Sequence, residues 1–94
     1  LARFPAVRRD LALVVSKSVA YETLKVTAEK AERKLLKGIE LFDVYEGKGL
    51  DEGEKSYAMA FTLQNPEATL NDKQIDSAMS RILKALESAG ARLR

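Results

Sequence analysis

The sequence predicts a single domain of the α+β class, because strand-like and helix-like patterns alternate along one chain of 94 residues. The strand-like segments have apolar residues at every second position, and the helix-like segments have them at every third or fourth position. Hydrophobic residues make up 46% and charged residues 32% of the chain, which is the balance of a globular protein. A chain of this length buries one core rather than two, so residues 1–94 are predicted to form one domain.

The first part of the chain predicts a strand and then an amphipathic helix. Residues 9–15 alternate, and the parity predicted to face the core holds Leu11, Leu13 and Val15. After a short polar break, residues 20–34 are predicted to be helical because apolar residues recur at helical spacing. These apolar residues are Tyr21, Leu24, Ala28, Ala31 and Leu35.

A β-hairpin with a glycine-rich loop is predicted next, with strands at residues 39–45 and 56–64. In its first strand, alternation predicts that Phe42 and Val44 face the core. The opposite parity, which would make the other face partly apolar, holds Ile39, Leu41, Asp43 and Tyr45. In the second strand the large residues predicted to face inward are Tyr57, Met59, Phe61 and Leu63. The small residues predicted to face outward are Ser56, Ala58, Ala60 and Thr62.

The last third of the chain predicts a capped helix and a short strand. Asn71 is a good N-cap residue, and Gln74 stands at the position of its capping-box partner. The apolar stripe of the helix consists of Ile75, Ala78, Met79, Ile82, Leu83 and Leu86. Gly90 favours the end of the helix, and residues 91–94 remain for a fourth strand.

The element order βαββαβ predicts a ferredoxin-like sandwich, in which two helices cover one face of a four-stranded antiparallel sheet. Right-handed crossovers would put the first and third strands at the centre and the first hairpin strand at an edge. The strand residues predicted to form the core are Leu11, Leu13, Val15, Phe42, Val44, Tyr57, Met59, Phe61 and Leu63. Their predicted partners on the helices are Leu24, Ala28, Ala31, Met79, Ile82 and Leu86.

Composition excludes several classes of function. The chain has no cysteine and no histidine, which removes thiolate and histidine-dependent catalysis together with most transition-metal sites. We therefore expect no catalytic residues, no metal site and no cofactor in this domain. The net charge of +2 is too small for a surface that wraps DNA through phosphate contacts alone. No apolar run approaches the roughly 20 residues that a membrane-spanning helix needs.

Function is expected on the sheet face without helices, and several classes of ferredoxin-like protein can be compared there. An RNA-recognition motif would carry aromatic residues where this chain has Ala12, Ala58 and Ala60. A metallochaperone would need cysteines, and an acylphosphatase would need a glycine-rich phosphate loop after the first strand. A small-molecule regulatory or dimerisation module is excluded by no single residue and stays an alternative.

The remaining candidate is a cluster that the alternation creates on this face. It consists of Ala12, Asp43, Tyr45 and Ser56. A tyrosine ring can stack on a base, and a carboxylate and a hydroxyl can bond a base edge. Arg8 and Arg9 are secondary candidates for RNA phosphate contacts. The same residues can equally be ordinary solvated side chains, so the pattern alone leaves both interpretations open.

Three segments of the sequence point to a known family. They are FPAVRRDLALVV at the start, LFDVYEGKGLDEGEKS at the hairpin and TLND before the second helix. In order and spacing they resemble the ferredoxin-fold anticodon-binding domain at the C-terminus of the bacterial phenylalanyl-tRNA synthetase β subunit. The resemblance covers nearly the whole chain.

This resemblance implies an RNA-binding module inside a cytoplasmic aminoacyl-tRNA ligase. Its partners would be the anticodon of tRNA-Phe, the rest of the β subunit and the catalytic α subunit of an α2β2 heterotetramer. ATP and magnesium would bind elsewhere in that enzyme, so the isolated domain would have no activity. The family's roles would fall on Tyr45, which would stack on the guanine that opens the anticodon, and on Asp43, which would bond it. Ser56 and Ala12 would lie nearby.

Overall fold

The computed structural model describes residues 4–94. Its elements in chain order are β1 (Val7–Ser16), α1 (Tyr21–Ala31), β2 (Leu36–Tyr45), β3 (Glu54–Leu63), α2 (Asp72–Ser88) and β4 (Arg92–Leu93). Within the described part of the chain, neither helix is long and apolar enough to cross a membrane.

The four strands form one antiparallel sheet in the order β2-β3-β1-β4. The predicted ferredoxin-like α+β fold is therefore confirmed, with β1 and β3 at the centre and β2 at an edge. Both central strands have ten residues, and they pair along their whole length from Val7 opposite Leu63 to Ser16 opposite Glu54. This long central pair fixes which residues share a face of the sheet.

The core lies between the two helices and one face of the sheet. The strand residues Leu13, Val15, Met59, Phe61 and Leu63 are fully buried there, as alternation predicts. Helix α1 contributes Leu24 and Ala28, and α2 contributes Ile75, Ala78, Ile82 and Leu86. Burying this apolar surface is the main stabilising contribution to the fold, at about 25 cal/mol per Å² removed from water. The other face of the sheet has no helix over it, and we call it the open face.

The two helices begin differently. The predicted capping box of α2 is confirmed: the Asn71 side chain accepts a hydrogen bond from the Gln74 amide, and the Gln74 side chain accepts one from the Asn71 amide. Helix α1 begins after Ala20, which has no side chain that can cap. It ends at Ala31, three residues before the predicted boundary, because the chain leaves the helix in a turn at Glu32.

Glu32 stabilises this turn from inside the protein. Its side chain is only 4% exposed, and it accepts hydrogen bonds from the Leu35 amide (3.0 Å) and from Nε of Arg81 on α2 (2.9 Å). Burial alone would raise the pKa of the Glu32 carboxyl. The hydrogen bonds from Arg81 and the Leu35 amide, together with the charge of Arg81, outweigh burial and lower the pKa.

Strand β2 departs from simple alternation. Its pairing with β3 shifts between Leu41 and Asp43, so Phe42 lies in a β-bulge without a partner residue on β3. Phe42 is 47% exposed and Val44 is 48% exposed. The prediction that these two residues belong to the core is therefore wrong. The bulge takes Phe42 out of the alternation, whereas Val44 keeps the parity of the helix-covered face and is exposed on the edge strand.

The bulge also corrects the predicted open face. Before it, Ile39 and Leu41 pair with Phe61 and Met59 and pack against the core. They do not share a face with Asp43, so the prediction of a partly apolar open face made of Ile39 and Leu41 is wrong. The bulge reverses the parity of the strand, so Ile39 and Leu41 face the helices, whereas Asp43 and Tyr45 face the open side.

Candidate nucleic-acid interface

The candidate residues lie in two neighbouring rows that run across the sheet. In one row Ala58 of β3 pairs with Ala12 of β1 on one side and with Asp43 of β2 on the other. In the next row Ser56 pairs with Val14 and with Tyr45. Paired residues in a sheet share a face, so the structure brings Ala12, Asp43, Tyr45 and Ser56 together on the open face.

The Tyr45 side chain is fixed by the hairpin loop. Its hydroxyl donates a hydrogen bond to the carbonyl oxygen of Lys48 (2.7 Å). Gly47 lies between them with a positive φ of 130°, which a side chain would strain, and a Cβ there would stand 3.5 Å from the Tyr45 hydroxyl oxygen. The loop therefore restrains the ring at the edge of the sheet in one orientation.

Arg94 lies over the same ring. Its backbone amide donates to the carbonyl oxygen of Ala12 on β1 (2.9 Å), and its guanidinium carbon is 4.5 Å from the centroid of the Tyr45 ring. The Arg94 backbone lies beside β1 and the Tyr45 ring belongs to β2, with β1 and β3 between them. The Arg94 side chain therefore crosses the open face above the small residues of these two central strands. A guanidinium over an aromatic ring is a favourable cation–π arrangement.

Ser56 lies deeper than the sequence suggests. It is on the open face but only 2% exposed, and its neighbour Val14 is equally buried. The Arg94 side chain crosses this part of the sheet, and Arg92, which pairs with Val14, binds Glu54 beside it. A ligand can reach the Ser56 hydroxyl only after the side chains above it move.

The two candidate arginines are separated. Arg8 pairs with Thr62 and lies on the open face, where its Nε donates to Oδ1 of Asp10 (2.9 Å) and its guanidinium carbon is 5.2 Å from the centroid of the Phe42 ring. Arg9 pairs with Phe61, so it has the parity of the helix-covered face. Arg8 joins the cluster on the open face, and Arg9 does not.

Comparison with known proteins shows which family the chain belongs to. The model of the family described as "Ferredoxin-fold anticodon binding domain" matches residues 2–94. The chain belongs to this family.

The chain is similar to the same subunit of one kind of ligase in several bacteria. The chain is 53% identical over its whole length to the phenylalanine–tRNA ligase beta subunit of Bacteroides fragilis and 54% identical to that of Porphyromonas gingivalis. It is 44% identical to that of Bacillus subtilis over 93% of the chain. The chain spans only about 12% of the first two subunits and 11% of the third, so it corresponds to one small part of these proteins.

Sequence patterns do not place two residues of the open face. Alternation predicts Phe42 in the core, because no residue type in the strand indicates a bulge. For Arg94 the pattern predicts only a short last strand. Its pairing beside β1 becomes visible once the sheet order is known. The sequence contains only weak signals for these positions. Phe42 is an aromatic residue next to a polar one, and Arg94 follows a short segment with little pattern.

A cleft in the described part of the chain lies elsewhere, on the helix side of the domain. It has a volume of about 320 Å³ and is lined by Glu32, Lys34, Asn65, Lys73, Ser77 and Arg81, among others. Its buried carboxylate is already paired with Arg81. The candidate residues of the open face are not among those that line this cleft. Within residues 4–94, no cluster of acidic side chains has the arrangement of a metal site.

Proposed function

We propose that this domain binds the anticodon of tRNA-Phe within a phenylalanine–tRNA ligase. The guanine at the first anticodon position would stack on Tyr45 and bond Asp43. The observation that carries this proposal is that Asp43 and Tyr45 share the open face with Ala12 and Ala58, two small residues that leave room above the sheet.

The chemistry of these two side chains suits a guanine. The ring of Tyr45 offers a π-face, and stacking one base on an aromatic side chain contributes about 1–3 kcal/mol. An ionised carboxylate only accepts hydrogen bonds, and the Watson–Crick edge of guanine presents two neighbouring N–H donors. Such bonds to a charged acceptor are stronger than those between neutral groups.

Arg94 has a defined part in this proposal. A base that stacks on Tyr45 above Ala12 and Ala58 enters the space that the Arg94 side chain crosses. The arginine would move aside on binding and would then be free to contact a phosphate of the RNA. The loss of its contact with the ring is small, about 0.5–1 kcal/mol for an exposed cation–π pair.

We propose that catalysis takes place outside this domain. The chain has no histidine or cysteine, and its relatives are beta subunits many times its length. The active site, with its ATP and magnesium, would belong to the catalytic α subunit of an α2β2 enzyme in the cytoplasm. The domain would contribute part of the tRNA affinity rather than any chemical step.

Two variants of the full-length ligase test the division of work between the site residues. Tyr45→Ala should lower kcat/KM for aminoacylation with any base at the first anticodon position, because every base has a π-face. Asp43→Asn keeps the shape but replaces the acceptor-only carboxylate with an amide, so it should harm a tRNA with guanine more than one with adenine. The measurement is kcat/KM with both tRNAs.

A matched control is Val44→Ala, which changes an exposed residue between the two site residues. Val44 pairs with Tyr57 and has the parity of the helix-covered face, so it should leave both kcat/KM values unchanged. Equal losses with both tRNAs for Asp43→Asn, or no loss for Tyr45→Ala, would contradict the proposed base site. Binding of free amino acids at this site, without binding of RNA, would favour the alternative of a small-molecule regulatory module.

A further inference from the structure

Phe42 is the most exposed aromatic feature of the open face that the proposed function leaves unused. The bulge between Leu41 and Asp43 moves it out of the core alternation, and 47% of its surface is exposed. It directly precedes Asp43, so it borders the proposed guanine site. Bulges often redirect a side chain next to a functional site. Phe42, beside the polar residues Asp43 and Tyr45, fits this role better than that of a core residue.

The surroundings of Phe42 match those of Tyr45. The Arg8 guanidinium lies over one face of the Phe42 ring at 5.2 Å, as that of Arg94 lies over Tyr45 at 4.5 Å. Arg8 is itself oriented by Asp10, through the 2.9 Å bond from Nε. The floor beneath is again a small residue of β3, since Ala60 pairs with Asp10 and is buried on the open face.

We propose that Phe42 and Arg8 form a second base-stacking position, which takes the nucleobase next to the guanine at Tyr45. This inference rests on the proposed function. One face of the Phe42 ring is backed by Arg8, and the exposed remainder of the ring is the stacking surface.

The spacing between the two rings supports neighbouring bases of a single strand. Phe42 and Tyr45 are three positions apart on β2, and a strand advances about 3.3 Å per residue, so the two Cα atoms are separated by about 10 Å or less. Asp43 lies between the rings. Proteins that recognise single-stranded RNA loops often separate neighbouring bases and stack each on an aromatic side chain. Two rings at this spacing suit such a pair of bases.

The alternative occupant of an exposed phenylalanine is another protein surface, such as a neighbouring domain or subunit. The surroundings of Phe42 are polar rather than apolar, because its ring lies beside the ion pair of Arg8 and Asp10 and the residue directly precedes Asp43. Continuity with the proposed guanine site therefore favours a nucleobase over an apolar protein surface. The other exposed apolar residue of this strand, Val44, has the parity of the opposite face. The two therefore do not form one continuous apolar surface.

The test measures binding of tRNA-Phe to the full-length ligase, with the base on either side of the first anticodon position removed in turn. Phe42→Ala should weaken binding of intact tRNA by about 5- to 150-fold, the range of one stacked base. Removing one of the two neighbouring bases should weaken binding to the unaltered enzyme to a similar degree. With Phe42→Ala, removing that same base should cause no further loss, because the two changes delete the same contact.

Phe42→Leu and Val44→Ala are the matched controls. The leucine keeps an apolar side chain without a π-face and should behave like Phe42→Ala, whereas Val44→Ala should bind every tRNA as the unaltered enzyme does. Independent, additive losses for Phe42→Ala and each missing base would overturn the proposal. So would an unchanged affinity, or a defect confined to assembly of the ligase subunits.

The two proposals fail in different ways. Tyr45→Ala should be coupled to removal of the base at the first anticodon position itself. If that coupling is present and Phe42→Ala is coupled to neither neighbouring base, the second stacking position is wrong and the guanine site stands. If neither residue is coupled to any base, the proposed function is wrong and this inference falls with it.

Discussion

The helix-covered face and the open face of the sheet are built from the same strands but are covered in different ways. Large aliphatic and aromatic residues such as Phe61 cover the first face and interlock with two helices. Small residues such as Ala58 form the second face, and long arginine side chains lie across it. The first arrangement is close-packed and costly to disturb. The second can be rearranged by a ligand at small cost, because charged side chains near water lose little when they move.

The largest expected difference between the faces is in the response to removing an aromatic ring. Phe61→Ala should lower the free energy of unfolding by about 3–5 kcal/mol, because it leaves a cavity in a close-packed core. Phe42→Ala removes the same atoms from an exposed site and should lower it by less than about 1 kcal/mol. Urea unfolding of both variants measures the difference. Similar losses would mean that Phe42 is packed after all.

A smaller effect is expected from the ion pair on the helix side. Glu32→Gln should lower the free energy of unfolding by about 1–3 kcal/mol, because the buried oxygen loses charge-assisted hydrogen bonds. The pKa of Glu32 is lowered in the folded protein, so the stability due to this group is complete above its ordinary value of 4.5. It is lost as the pH falls from there through the folded-state pKa.

Urea unfolding between pH 3 and pH 7 checks this prediction. The difference in stability between the unaltered chain and Glu32→Gln should be largest near neutral pH and should shrink toward low pH. A difference that stays constant across this range would show that the carboxyl does not titrate differently in the folded and unfolded chains.

On the open face, Arg94→Ala should have a smaller effect on folding and a distinct effect on RNA binding. The lost cation–π contact lowers the free energy of unfolding by about 0.5–1 kcal/mol at most. If Arg94 contacts a phosphate in the complex, the slope of log affinity against log salt should decrease in magnitude by about 0.7. Binding titrations at several salt concentrations measure this slope, and an unchanged slope would exclude the phosphate contact.

The smallest effect is expected for the exposed ion pair between Arg8 and Asp10, whose side chains are both about half exposed. Asp10→Asn should leave the urea midpoint unchanged within error, since exposed pairs contribute little. Glu32→Gln is the matched comparison, because it also converts a paired carboxylate to an amide but does so where the carboxylate is buried. A clear loss for Asp10→Asn would show that the open face is more tightly built than its exposure indicates.

The sequence predicted the helix-covered face well because that face obeys simple periodicity. In β1 and β3 every second residue meets the helices without interruption, so parity alone identified Leu13, Val15, Met59 and Phe61. The capping box of α2 was equally visible, since it depends on two residues at a fixed spacing. These features are local or strictly periodic, and they can be inferred without knowledge of the fold.

The open face was predicted only in part. The positions of Asp43 and Tyr45 on it were correct, but the reason given for them was incomplete, because alternation through the whole strand would also have put Ile39 there. A bulge adds one residue to one strand, and its position depends on pairing with β3 rather than on β2 alone. The crossing of Arg94 depends in turn on β4 lying beside β1, which is a property of the tertiary fold.

The bulge at Phe42 also bears on how this edge of the sheet meets other chains. Within residues 4–94, β2 pairs with β3 alone, so its outer side presents unpaired backbone groups that another strand could extend. The pairing register of β2 shifts twice, between Leu36 and Gly38 and again at the bulge. An irregular strand makes a poor template for a regular ladder, which protects against edge-to-edge aggregation. The same extra residue that turns an aromatic outward therefore also guards the sheet against adding a fifth strand from a neighbouring molecule.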